Sequence, residues 1–193
     1  MLYLGTDKKW DLPHHAIYFA NDYRSNVEGI FKGKMPGEDI SFYVRNASVT
    51  DPTLAPEGHS AIYVLVPVPN RRSGIDWSTK SEFRETVLKA MEQRAGMTGI
   101  REHIQEEKIL TPDDWDGEYG VFDGATFNLA HNIGQMLYFR PRNQFEEVGN
   151  CYLTGGGTHP GSGLPTIYES GRIAANLISK KHHLDFVTKN LEI

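Results

Sequence analysis

Between Asn150 and Pro165 the chain reads NCYLTGGGTHPGSGLP, with five glycines in the nine positions from Gly155 to Gly163. Glycine permits positive φ and lets another group approach the bare backbone, but each one adds entropy to the unfolded chain. Such a cluster is expected where something packs onto exposed amides. Upstream, Asn150 to Thr154 is apolar and bounded by turn residues, which predicts a strand. Downstream, Pro165 suits the first position of a helix, and Ile173, Leu177 and Ile178 with the small residues Gly171, Ala174 and Ala175 carry that helix to Ser179. Strand, glycine turn, helix aims free N–H groups and the positive end of a helix dipole at the turn, so an anionic or planar ligand is expected there. A tight connection with no ligand is the alternative.

The turn is not a complete dinucleotide fingerprint. Gly155-Gly156-Gly157-Thr158-His159 runs into Pro160 where G-x-G-x-x-G needs a third spaced glycine, and no acidic residue follows at a fitting distance on a second strand. An accessory contact with a cofactor fits this departure better than the primary one. His159 flanks the turn and could serve as a general base; a histidine that orients the loop through hydrogen bonds is the favoured alternative.

The 193 residues suffice for one domain with a core or for a slice of something larger. A net charge of -5 and the lack of a basic patch argue against nucleic-acid binding. The longest apolar run, Ala61 to Val68, is too short to span a bilayer. The first residues carry no export pattern, so the cytoplasm is the expected compartment. The single cysteine, Cys151, lies in an apolar phrase and is expected to be a buried structural thiol.

Periodicity places the remaining elements. Strands are predicted at Met1 to Gly5, Ala16 to Ala20, Ser41 to Ser48, Ser60 to Pro67 and His103 to Leu110, the fourth reading as buried on both faces. A short helix follows Asn21-Asp22, with Val27, Ile30 and Phe31 at helical spacing. A longer one runs from Ser81 to Arg94 through Phe83, Val87, Leu88 and Met91. Thr111-Pro112 opens another, with Asp113, Asp114 and Asp116 as helix-start charges and not a catalytic pair. Phe122 to Phe139 has no assignable period, and its apolar side chains are expected in an ordinary core, a substrate channel being the alternative. His14 and His15 should point to opposite faces of a strand, which disfavours a shared metal. His182 and His183 should be solvated.

The stretch Tyr152 to Ile178, YLTGGGTHPGSGLPTIYESGRIAANLI, closely resembles the C-terminal flavin-contacting signature of bacterial carotenoid desaturases, the phytoene and diapophytoene desaturase family of the FAD-dependent, amine-oxidase-like superfamily. Three earlier phrases are similar to that family in the same order: Phe19-Ala20-Asn21-Asp22-Tyr23, Thr50 to Gly58 leading into Tyr63 to Pro69, and Phe139-Arg140-Pro141. Family members are much longer and begin with a G-x-G-x-x-G unit that this sequence lacks. The resemblance therefore implies a C-terminal fragment with an α/β (α+β) architecture, a partial FAD-binding amine-oxidase-like fold. Residues 1–148 would belong to the substrate-binding domain, 149–180 would return to the FAD-binding domain, and 181–193 would be a polar tail.

The same resemblance implies FAD as cofactor, an apolar polyene as substrate, and a protein resting on the membrane surface. The implied reaction takes a hydride to the flavin and a proton from the neighbouring carbon. Gly156, Gly157 and Thr158 would contact the ribityl and phosphate portion. The helix start formed by Gly163, Leu164, Pro165 and Thr166 would face the N1 and C2-oxygen edge of the ring. No catalytic residue is assigned and no metal is expected. The competing readings are a carotenoid oxygenase or isomerase of the same fold, and a truncated, non-catalytic module that associates with a partner through an exposed sheet edge.

Overall fold

The computed structural model describes residues 1–186. The backbone divides into two compact units, Met1–Gly124 and the residues from Ala125 onward.

The first unit is built on an antiparallel sheet. Its elements are β1 (Leu2–Thr6), β2 (His15–Tyr18), α1 (Tyr23–Phe31), β3 (Phe42–Asn46), β4 (Ser60–Leu65), α2 (Lys80–Arg94), α3 (Ile100–His103), β5 (Ile104–Ile109) and α4 (Pro112–Gly117). The strand order is β2-β3-β4-β1-β5. In β1 the alternation of Leu2, Leu4 and Thr6 with Tyr3 and Gly5 puts the first set in the core, as period-2 geometry requires. β3 and β4 repeat the pattern, so Phe42, Val44, Ile62 and Val64 line the same face. Val87, Leu88 and Met91 of α2, four and three residues apart on one helical stripe, join this core. α2 matches the sequence expectation closely. β4 departs from it: its burial alternates, so only one of its faces is deeply covered.

The sheet's other face is aromatic. Tyr3, Tyr63 and Tyr43 follow one another across three strands at ring separations of 5.2 and 6.0 Å. Burial and the neighbouring phenols push the Tyr63 hydroxyl up to about 12. His15 extends the row, with Nδ1 2.5 Å from the Tyr43 hydroxyl. His14 and His15 do not point apart: their rings stack at 4.2 Å, because His14 lies just before β2 and escapes the strand's alternation. Partial desolvation and the charges of His15 and Arg45 hold His14 below the usual histidine range.

Local capping sets the helix starts. Asp22 accepts from the Ser25 amide at 3.0 Å and opens α1. At α4, Thr111 and Asp114 cap each other reciprocally, and Arg71 binds Asp113 and Asp116 from outside. Asp113 and Asp114 sit in the first turn of α4, and the cluster they form with Asp116 is engaged by the cap and by Arg71, as its position just after Pro112 suggested. The unit closes at Gly124, where φ is +62° and an added Cβ would lie 2.2 Å from the Pro112 carbonyl oxygen. Only glycine fits that contact.

The second unit has one long helix, α5 (Leu164–Lys181), preceded by short 3-10 turns and loops. The strand expected over Asn150 to Thr154 is reduced to one antiparallel bridge, Gln144 to Tyr152. Asn150 has φ +63° and the Gly155 amide is taken by the Ser170 hydroxyl, so neither end can continue a ladder. The apolar segment before it is not core either. Phe127, Ile133, Leu137, Tyr138 and Phe139 are each 65% exposed or more. Cys151 is half-buried, not fully covered. His182 and His183 are exposed, as expected, and the tail from residue 187 lies outside the described residues.

Candidate functional site

Among the described residues of the second unit, four polar ones are deeply buried: Arg140, Asn143, Thr158 and Ser170. All four hold the glycine turn. The Arg140 guanidinium, 3% exposed, donates to the carbonyls of Thr158 and Gln135 at 3.0 Å each and to that of Gly156. Asn143 shares its amide protons among the carbonyls of Leu153, His159 and Ser170 and the Thr158 hydroxyl, at 2.9 to 3.4 Å. Thr158 in turn donates its hydroxyl to the Gly155 carbonyl at 3.1 Å. Ser170 accepts from the Gly155 amide at 2.8 Å and donates to Ile167 one turn back on α5. A buried amide or hydroxyl must be paired to avoid a penalty of about 1–3 kcal/mol, and here the pairings fix the carbonyls of Gly155, Gly156, Thr158 and His159.

This clamp has a directional consequence. Gly155, Gly156, Thr158 and His159 all present their carbonyl oxygens to it. The peptides that follow Gly155, Gly156 and Thr158 are planar and trans, so the N–H after each of these carbonyls points the opposite way; the His159–Pro160 peptide is cis and carries no N–H. The amides of Gly156 and Gly157 are therefore turned away from Arg140, and neither makes a hydrogen bond among the described residues. Gly156 also lies close to the helix start: a Cβ there would meet Ser162 at 3.4 Å and Ile167 at 3.7 Å. The Asn128 side chain rests against Gly157.

At the helix start, Gly163 is the N-cap with φ 102° and ψ 139°, a conformation open to glycine and to almost nothing else, and no side chain caps it. Leu164 is the first helical residue and Pro165 the second, one place later than the sequence suggested. The first amide to find a helical partner is that of Ile167, which donates to the Gly163 carbonyl at 2.9 Å. Leu164 and Thr166 thus contribute the unpaired amides expected of any uncapped helix start. The Thr166 hydroxyl points back, donating to Ser162 and Gly163 carbonyls at 2.6 and 2.7 Å, and leaves those amides uncovered. With Leu164 68% exposed, the positive end of an 18-residue helix opens outward.

Most of the residues singled out from the sequence are brought together: Gly156 and Gly157 on the turn, and Gly163, Leu164, Pro165 and Thr166 at the helix start. Thr158 differs, since its side chain belongs to the clamp. His159 is tied by its backbone, its amide donating to Pro141 at 2.8 Å and its carbonyl accepting from Asn143. Its exposed imidazole makes no hydrogen bond among the described residues, so the loop is oriented by its main chain and not by its ring. Arg140, Asn143 and Ser170 were not anticipated as part of the site. The only signal for Arg140 was a charge lodged between Phe139 and Pro141.

Chemically, the turn and helix start form a cradle of backbone donors with a buried cation behind it. Such a cradle accepts a negatively charged or electron-accepting group that reaches close to bare backbone. No family model matches the chain. It is 58% identical over 187 residues to a 4,4'-diapophytoene desaturase (4,4'-diapolycopene-forming) of Methylomonas sp, which covers 96% of this chain and 37% of that protein. It is 44% identical to an all-trans-zeta-carotene desaturase of Myxococcus xanthus, over 94% of this chain and 35% of the relative. A neurosporene-forming phytoene desaturase of Rhodobacter capsulatus is also 44% identical, over 90% and 34%. The chain is homologous to one part of these carotenoid desaturases, aligning over 90% or more of its own length and spanning about a third of theirs.

Proposed function

We propose that the chain forms part of an FAD-dependent desaturase of the amine-oxidase-like fold, acting on a carotenoid precursor such as diapophytoene or phytoene. In this reading residues 1–148 contribute to the substrate-binding domain and 149–180 complete the flavin-binding domain. The observation that carries it is the turn itself: inward carbonyls, outward amides at Gly156 and Gly157, and an uncapped helix start at Gly163.

When bound, the flavin would accept the hydride removed from the polyene. The chain's own part is electrostatic and positional. Amides of the α5 start would donate to the N1 and C2-oxygen edge, where negative charge develops, and donors held rigid beforehand need no reorganisation. Gly156 and Gly157 would let the ribityl and phosphate portion approach the backbone. The residues fit the group, because the Gly156 and Gly157 amides have no hydrogen-bond partner among the described residues and no side chain caps the helix start.

An apolar polyene partitions into lipid, and the exposed aromatic and aliphatic side chains of Phe127 to Phe139 support a protein that rests on the cytoplasmic surface of the membrane. Among the described residues no helix is long and apolar enough to cross a bilayer.

The test is Gly163→Val in the full-length enzyme that carries this segment. Valine at φ 102° costs about 1–3 kcal/mol and redirects the helix-start amides, so flavin affinity should fall roughly tenfold or more. Unchanged flavin content and turnover would refute the assignment.

A further inference from the structure

Arg140 is the anomaly of the second unit. Its guanidinium is buried, yet all its acceptors are neutral carbonyls, and no carboxylate lies at ion-pair distance from it among the described residues. The neighbouring arginines are unlike it: Arg142 and Arg172 are partly exposed and pair with Glu146 and Glu169. A buried charge is costly unless an opposite charge or a dense set of dipoles compensates it. If only the turn's shape were needed, a neutral donor of the Asn143 kind would serve, without a net charge in the interior.

Building on the flavin reading above, we propose that Arg140 is a positioning residue with two linked tasks. Its fork holds the Gly156 and Thr158 carbonyls inward, and its unneutralised charge, directly behind the turn, favours an anionic group on the opposite, amide-lined side. The planar fork matters because two of its nitrogens meet carbonyls two residues apart on the same turn, which a lysine ammonium cannot reproduce with fixed geometry. That charge can act on either of two anionic parts of the cofactor, the diphosphate or the reduced ring.

The experiment compares Arg140→Gln and Arg140→Lys in the full-length enzyme, reading FAD affinity in both redox states and the midpoint potential of the bound flavin. If the reduced ring is the group favoured, Arg140→Gln weakens reduced-flavin binding about tenfold more than oxidised, lowering the potential by about 30 mV. If it is the diphosphate, both states weaken alike and the potential holds. In either case Arg140→Lys restores a substantial part of the loss. Equal losses in the glutamine and lysine variants, or no loss in either, would overturn the inference.

Should neither variant fold, Gln135→Glu provides the second reading. The Gln135 carbonyl accepts from Arg140, while its side chain accepts from the Ala130 amide at 2.7 Å, a bond glutamate can keep. A carboxylate there should weaken FAD binding or lower its potential in the same sense; no change in either would overturn the inference. If Gly163→Val loses flavin while all these variants retain it, the site stands without the role for Arg140. If Gly163→Val also retains flavin, the site reading itself fails.

Discussion

The two units are held together by opposite means. Among the described residues every deeply buried apolar side chain except Ala174 belongs to the sheet unit, where Phe42, Val64, Leu88 and Met91 pack on one face. The second unit buries Arg140, Asn143, Thr158 and Ser170 instead, while Phe127, Ile133, Leu137, Tyr138 and Phe139 stay exposed. Apolar burial is non-directional and tolerates approximate shapes, whereas hydrogen bonds to loop carbonyls fix the direction of each peptide group. The contrast teaches where stability and where function reside. The sheet unit is stabilised by volume, and the turn is specified by orientation.

The largest expected effect lies in the sheet unit. Phe42→Ala removes a ring stacked at 4.8 Å on Tyr18 and covered by the Arg94 guanidinium, and should cost about 3–5 kcal/mol. Urea unfolding would show a lowered midpoint for the sheet, while amide exchange in the glycine turn stays as before. A comparable loss of protection at Gly155 to His159 would erase the distinction between the units. Next is Asn143→Leu, which removes the amide shared by three backbone carbonyls and the Thr158 hydroxyl and should cost about 1–3 kcal/mol locally. Exchange in the turn should rise while the sheet keeps its unfolding midpoint; a shift in the sheet instead would show that the units are not independently stabilised.

The smallest effect depends on pH. Backbone N–H groups of Asp22 and then Asn21 hold the Asp39 carboxyl below the usual range. A depressed carboxylate stabilises the fold above its unfolded pKa of about 3.9, and that contribution is lost as pH falls through its lower folded value. Asp39→Asn should therefore flatten the stability profile below about pH 4 and lower the plateau above it. An unaltered acid profile would remove Asp39 from the account.

What could be read from the letters follows the same divide. Strands with alternating apolar residues, the α2 stripe and the Thr111-Pro112 cap were legible because the signal is local and periodic. β4 misled because tyrosine and alanine count as apolar even where they face outward. The segment Phe122 to Phe139 was apolar without a period, and composition alone pointed to a core that is not there. At the site, the glycines and the helix start were visible, since Gly163 must supply a backbone that other residues resist. The clamp was not, because Arg140, Asn143 and Ser170 meet only when the chain folds back across 18, 16 and 15 residues to reach the turn.

The central claim is that the outward amides of the turn and helix start face the flavin. Hydrogen exchange of the full-length enzyme, followed over residues 154–168 with and without saturating FAD, tests it most directly. Marked slowing at Gly156, Gly157, Leu164 and Thr166 on flavin binding is the expected result. Equal exchange in the two states, with the flavin shown to be bound, would contradict it.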